Sequence, residues 1–401
     1  MNKPVEDKSS YRWIILLISS LALLNLEVMQ FQIAGLAHVI IPAFHFNSEQ
    51  FAMVLTAPML TCAILGIPAG ALADRFGEKN TISLGLLITV ISGFCRIYVH
   101  SFLPMFALML LLGTGQSFLN AVGAKLLGAW FPRRQMSTAM GIFVSSASVG
   151  MMVALATSAL FKSFRSAIIV DVITSLAILI LWVLLVKAKP EGTQEAAPQP
   201  ILKYIGVAAK SKNLWIAAVA VMCYMGAKIT FLGFLPSALQ SVKGANPIQA
   251  GLIASIMPVA MGAGYVLGPI IFNKLAGLKP FALATVLAAA GLYLAWSAPF
   301  GTATWLLLMI SGLLVGTAFP ILLSIPLLLP DIGRVYAGSA GGIISTLQMG
   351  GAFLIPSYIV TPLAGYNVNR IFLYSCAGFV VFAVLVLLLP DLGKKTRYRN
   401  M

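Results

Sequence analysis

The chain has 401 residues, 60% of them hydrophobic and only 9% charged, with a mean hydropathy of +0.96. Soluble domains carry about 25% charged residues, so a soluble protein of this composition could not cover its own surface, and the solvent for most of the chain is lipid. The net charge of +15 points either to nucleic acid or to the Lys/Arg excess of cytoplasmic loops in membrane proteins, and the location of the charges decides between them.

The N-terminus places charged residues before an apolar run from Trp13, as a signal peptide does. No small-residue cleavage site follows, so the run is expected to be retained as the first membrane helix. A spanning helix needs about 20 apolar residues. Twelve stretches qualify: 13–39, 49–72, 80–99, 103–128, 137–160, 166–187, 213–238, 247–271, 280–298, 302–329, 338–361 and 369–389. Most connections are short. Ala188 to Lys212, containing KPEGTQEAAPQP, is polar and Pro-rich, as linkers are. The expectation is an all-α membrane protein of twelve transmembrane helices in two pseudo-symmetric six-helix bundles. Residues 1–187 form the N-terminal bundle, 188–212 a cytoplasmic linker and 213–401 the C-terminal bundle.

An even number of spans puts both termini on one side. With the termini in the cytoplasm, nineteen of the 26 Lys and Arg residues are cytoplasmic and five are on the far side. Lys125 and Lys228 remain inside spans. This asymmetry sets the orientation and accounts for the basic balance without nucleic acid as a partner. The cysteines Cys62, Cys95, Cys223 and Cys376 lie in apolar runs without ligand spacing, and His38, His45 and His100 sit at span ends. No metal site and no cofactor is expected. There is no Walker A or metalloprotease signature either.

A shift of 201 residues aligns GIFVSSASVG (Gly141–Gly150) with GIISTLQMGG (Gly342–Gly351), in the fifth and eleventh spans. GIPAG (Gly66–Gly70) and GYVLG (Gly264–Gly268) correspond three residues off that shift. Two parallel six-helix repeats fit this pattern.

Between the second and third spans stands GALADRFGEKN, Gly70 to Asn80. It resembles the loop signature of the major facilitator superfamily, with Gly70, Leu72, Asp74, Arg75, Gly77 and Lys79 matching. The resemblance implies a secondary transporter in a bacterial inner (plasma) membrane, working as a monomer by alternating access. It also makes Gly70, Asp74, Arg75, Gly77 and Lys79 a conformational lock that holds the two bundles together on the cytoplasmic side. Gly70 is suited to close helix approach and Gly77 to a tight turn. The second-half copy, GPIIFNKLAGLK (Gly268–Lys279), lacks the acid. AKLLGAWFPRRQMSTAMGI (Ala124–Ile142), with Asn120 and Arg96, is similar to the anion and organic-anion porters of the superfamily, the cyanate-permease-like and nitrate-porter-like sequences. The Arg of drug–proton antiporters is missing from LLLGTGQS, and GIFVSSASVG has no Gly-Pro pair.

Glu27 lies 15 residues after Arg12, about 22 Å along a helix, and so well inside a hydrocarbon core of about 30 Å. An intramembrane charge costs about 2.5–3.5 kcal/mol and needs a wet cavity, a partner or protonation. The 201-residue shift carries Glu27 onto Lys228 of the seventh span. In the superfamily the first and seventh helices face the central cavity, so the resemblance implies an acid and a base across the pseudo-twofold axis. Gln30 shares the Glu27 face, and Tyr224 shares the Lys228 face. Gln116 with Asn120, and Ser345 with Gln348, form further polar pairs at helical spacing. All of these, with Arg96 near the far surface, are candidate solute-binding residues; interhelical hydrogen bonding is the competing role. Lys125 is expected to snorkel, and Asp171 to belong to a surface cluster with Lys162 and Arg165.

Glu27, Lys228, Arg96 and Lys125 sum to +2 if all are ionised, which attracts a small anion. The expected activity is proton-coupled transport of an anionic solute, with Lys228 as its site and Glu27 as the proton carrier. The alternatives are a proton-coupled antiporter exporting cationic or amphiphilic compounds, and a non-transporting sensor on the same fold.

Overall fold

The computed structural model describes residues 11–161, 163–187, 206, 209–275, 277–299, 301–328, 333–365 and 367–390, omitting the side chains of residues 74, 133, 134, 137, 273–275, 323–328 and 333–339. The predicted linker therefore lies almost wholly outside the described residues. Among the described residues twelve long helices run through the fold. They are α1 (Tyr11–Gly35), α2 (Ser48–Phe76), α3 (Glu78–Arg96), α4 (Phe102–Trp130), α5 (Arg133–Thr157) and α6 (Phe164–Leu185), then α7 (Lys212–Ser241), α8 (Pro247–Leu275), α9 (Lys279–Ser297), α10 (Thr302–Leu328), α11 (Gly333–Leu354) and α12 (Val368–Leu387). Eleven are long and apolar enough to cross a membrane. The exception, α3, carries Glu78 and Lys79 in its first turn and Arg96 in its last, which lowers its hydropathy without removing it from the bundle.

Local chemistry explains the helix ends. Asn47 accepts from the Gln50 N–H while Gln50 reaches back to the Asn47 N–H, a capping box that starts α2. Ser211 caps α7 through the Leu214 N–H. Gly77, at φ +82°, makes the turn between α2 and α3 that a side chain would strain. After Gly35 the chain of α1 bends into a short extension, Ala37–Phe44. Beyond Leu354, α11 widens into a π-helical turn, Ile355–Val360, and one further α turn, Thr361–Ala364.

Each half is packed the same way. A Cβ on Gly150 of α5 would lie 3.0 Å from Leu24 Cα of α1, and one on Gly351 of α11 would lie 2.8 Å from Met222 Cα of α7. The glycine pair of the repeat thus brings α5 onto α1 and α11 onto α7. Proline positions repeat too: Pro58 and Pro68 in α2, Pro258 and Pro269 in α8. Burial ranks the helices radially. In α7, 83% of the apolar stretch is buried, whereas in α6 only 22% is. Leu184 of α6 (73% exposed) and Leu283 of α9 (62%) show the apolar surface that lipid must cover.

The start of α1 lies beside the ends of α4 and α6: Tyr11 packs on Trp130 and donates to Leu185 O. The start of α12 lies beside the ends of α9 and α7. Thr56, early in α2, meets Ser357, late in the α11 segment, at 3.1 Å. Helix alternation then puts the start of α1 and the end of α12 on one side, the terminal side. Contacts between the halves gather on the opposite side. Phe51 packs on Phe234 at 5.5 Å and Phe106 on Phe353 at 6.4 Å, and a Cβ on Gly251 would run into Leu155 O. Toward the terminal side, Gly66, Gly70, Gly141, Gly341 and Gly342 have nothing within 4 Å of an added Cβ. Among the described residues the halves meet on the opposite side, and these glycines toward the terminal side have open space beside them.

Candidate functional site

Glu27 stands on α1 and Lys228 on α7, each sixteen residues beyond the first residue of its helix. At 1.5 Å per residue both Cα atoms lie about 24 Å in from the terminal side. Each is the other's charged neighbour, within electrostatic reach, and no hydrogen bond joins them. Lys228 is 7% exposed and Glu27 half-buried, and among the described residues no hydrogen bond holds either head group.

Side chains that the sequence did not single out complete the surroundings. The Lys228 ammonium sits over the Phe319 ring of α10, 5.7 Å from its centroid. Tyr265 of α8 packs on Phe319 at 5.4 Å and lies within electrostatic reach of Glu27. Cys62 of α2 also lies within reach of Glu27. Charge is a sparse signal in a hydrophobic chain, so it exposed Glu27 and Lys228. One Phe or Tyr among 23 and 11 carries no comparable mark.

Several predicted lining residues have other partners. Gln30 is fully buried and donates to Leu55 O at 3.0 Å, while its side-chain oxygen accepts from Gln116 at 2.8 Å. These amides tie α1, α2 and α4 together instead of facing solute, which is the competing role weighed for polar residues in spans. Tyr224 is also fully buried. Its hydroxyl donates to Val315 O at 3.0 Å, and its ring stacks on Phe319 at 5.6 Å. It fixes the Phe319 ring from behind and is not exposed to the cleft. Asn120 and Ser345 are exposed, and Gln348 is buried at 6% exposure.

Arg96 is corrected more sharply. It is 1% exposed inside the first half, donates to Met29 O at 3.3 Å, and faces Asp171 of α6. Asp171 is 2% exposed, so it is not part of a surface cluster; Gln32 of α1 also faces it. Arg96 and Asp171 are thus buried where α1, α3 and α6 meet. Lys125 is half exposed and pairs with Glu78 at 3.2 Å. An intramembrane sum of +2 therefore does not describe the cleft, because Arg96 and Lys125 have acidic neighbours of their own.

Of the predicted lock, Gly77 makes its turn, and Lys79 donates to Val183 O at 2.9 Å at the end of α6. Arg75 lies over the Phe76 ring at 5.2 Å. Nothing approaches Gly70, contrary to the expectation of close helix contact there. The Asp74 side chain lies outside the described residues. Among the described members no contact crosses to the second half. The described residues contain no cluster of three or more potential metal ligands.

The family model for the Major Facilitator Superfamily matches residues 12–356. The chain belongs to this superfamily. It is an integral membrane transporter, not an enzyme, and its relatives fall in the anion branch of the superfamily. A probable sulfoacetate transporter, SauU, of Cupriavidus necator is 25% identical over 84% of this chain and 83% of its own length. The nitrite extrusion protein of Bacillus subtilis is 23% identical, covering 84% of both chains. The hexuronate transporter of Bacillus subtilis is 22% identical over 54% of this chain, and the match spans 53% of that protein. Two solved structures share the fold. One is a bacterial homolog of the human lysosomal transporter Spinster, inward-facing and unoccupied (TM-score 0.74, 15% identity, 95% of both chains). The other is a D-xylose–proton symporter (TM-score 0.75, 16% identity, 96% of this chain and 99% of that one).

Proposed function

We propose that this superfamily member moves a small anionic solute coupled to protons, with Lys228 as the anion site and Glu27 as the proton carrier. The observation that carries the reading is the placement of Glu27 and Lys228 at one depth, on the first helix of each half, each as the other's charged neighbour. The names of relatives support the charge of the solute: sulfoacetate, nitrite and hexuronate are anions.

The electrostatics give the coupling. With Glu27 ionised, the pair is neutral and Lys228 is occupied electrostatically by its neighbour. Protonating Glu27 leaves a single positive charge in a poorly hydrated site, where an anion interacts far more strongly than in bulk water. Anion and proton therefore load together. The moving units are residues 1–187 and 213–401, joined by 188–212, with the terminal side in the cytoplasm. The open space beside the terminal-side glycines supports reading this as the inward-open state of a single-chain carrier.

The test uses purified protein in proteoliposomes. Lys228→Ala abolishes anion uptake. Glu27→Gln still binds the anion, seen as a thermal shift, but no longer responds to a pH gradient. Gradient-driven uptake that survives unchanged in Glu27→Gln removes Glu27 from the coupling, and stabilisation by organic cations in place of anions removes the anion reading.

A further inference from the structure

We infer that the solute is a monocarboxylate with a flat, apolar body, whose carboxylate sits on Lys228 while the body lies against Tyr265 and the edge of Phe319. The inference rests on the anion reading above and narrows it to one class.

The first argument is charge. Near Glu27 the described residues place one ammonium, Lys228. Arg96 is buried in the first half with Asp171 as its charged neighbour, and Lys125 is paired with Glu78. A dicarboxylate would set its first carboxylate on Lys228 and have no described cation nearby for the second. That group would also repel ionised Glu27 in a site of low effective dielectric, where like charges a few ångströms apart are strongly unfavourable.

The second argument is hydrogen bonding. A polyhydroxylated sugar acid needs a donor or acceptor for each hydroxyl it buries, because a buried polar group without a partner loses its hydration and gains nothing in return. Gln30 and Gln116 are already used, and Gln348 of α11, 6% exposed, remains as one amide for several hydroxyls. Gln30 bonds Leu55 O and Gln116, and Gln116 reaches only those α1 groups. The Tyr224 hydroxyl is held by Val315 O.

The third argument is shape. Lys228 Nζ lies over Phe319, and Tyr224 stacks on that ring with an interplanar angle of 13°. Tyr265 packs against it at 42° and is only partly buried. A ring or an unsaturated chain attached to a carboxylate on Lys228 meets aromatic carbon here, the usual lining of small-molecule sites.

The experiment measures thermal stabilisation and counterflow by the full-length protein with three probes: benzoate, D-glucarate and nitrite. Benzoate is expected to stabilise the protein at concentrations at least about tenfold lower than D-glucarate, a difference near 1.4 kcal/mol. Tyr265→Ala and Phe319→Ala weaken benzoate by about tenfold or more relative to nitrite, while Tyr265→Phe keeps the benzoate preference of the parent protein. If the alanine variants do not fold, the ranking of probes on the unmodified protein decides. D-glucarate binding as tightly as benzoate, or nitrite and benzoate weakening together in Tyr265→Ala, overturns the inference and leaves the anion reading standing. Stabilisation by no anion, with Lys228→Ala behaving as the parent protein, overturns both.

Discussion

Gly150 lies directly against Glu27: a Cβ added to the glycine would sit 2.9 Å from the Cβ of the glutamate. Its repeat partner Gly351 holds the same relation to α7, where an added Cβ would meet Met222 Cγ at 2.5 Å. The two glycines thus let α5 and α11 pass close to the helices that carry the charged pair. Overpacking such a contact costs about 1–3 kcal/mol. Gly150→Val is expected to lower the thermal midpoint in detergent and to abolish transport by displacing Glu27. Gly351→Val destabilises to a similar degree. Midpoints unchanged in both would mean that these helices stand further apart than the structure places them.

The buried Arg96–Asp171 pair gives a different signature. Arg96 Nε and Nη2 and Asp171 Oδ2 are sealed without a protein partner, so the pair is poorly satisfied. Removing one member of a buried pair costs about 3–5 kcal/mol, because the other charge is left behind; replacing both with apolar residues is often neutral. Arg96→Met and Asp171→Leu should each reduce the yield of monodisperse protein and its thermal midpoint. The double variant should recover both, with KM for solute unchanged. A raised KM in the recovered double variant would return Arg96 to the solute path.

The depth of Glu27 and Lys228 was legible because two signals coincide there. A charge inside an apolar run is rare, and the 201-residue repeat maps one position onto the other. The span limits were legible for the same reason that hydropathy works: every backbone group must be satisfied within the helix. The role of a polar residue was not. Gln30, Gln116 and Asn120 share helical faces with cavity residues, yet Gln30 and Gln116 are sealed while Asn120 is exposed. Helical spacing fixes a direction around the axis, whereas cavity exposure depends on how the neighbouring helix is rotated. Arg96 and Asp171 were misplaced because their proximity joins α3 and α6, helices that are not consecutive in the chain. Tyr265 and Phe319 are ordinary apolar residues until the fold sets them beside Lys228.

The Gln30–Gln116 hydrogen bond is open to direct measurement. Interhelical side-chain hydrogen bonds in membrane proteins average about 0.6 kcal/mol and reach about 1.7. A double-mutant cycle with Gln30→Leu and Gln116→Leu should give a coupling energy within that range. Since both amides are buried and bonded to each other, KM should change by less than about twofold in the single variants, and the loss should appear in stability. A large KM effect without loss of stability would place one of the amides in the cleft.

The closed side of the cleft can be held shut chemically. Thr56 Oγ1 and Ser357 Oγ lie 3.1 Å apart, joining α2 to the π-helical turn that follows α11. If alternating access requires these segments to part, a covalent bridge there stops the cycle while leaving the terminal side open. The test places cysteines at both positions, Thr56→Cys and Ser357→Cys, in a background where Cys62, Cys95, Cys223 and Cys376 are serine or alanine. Mild oxidation should abolish solute counterflow, and reduction should restore it. Anion binding from the terminal side should persist throughout, since the glycines on that side have open space beside them in the bridged geometry. Counterflow at full rate in a fully oxidised sample would show that the contact between Thr56 and Ser357 is not part of the gate.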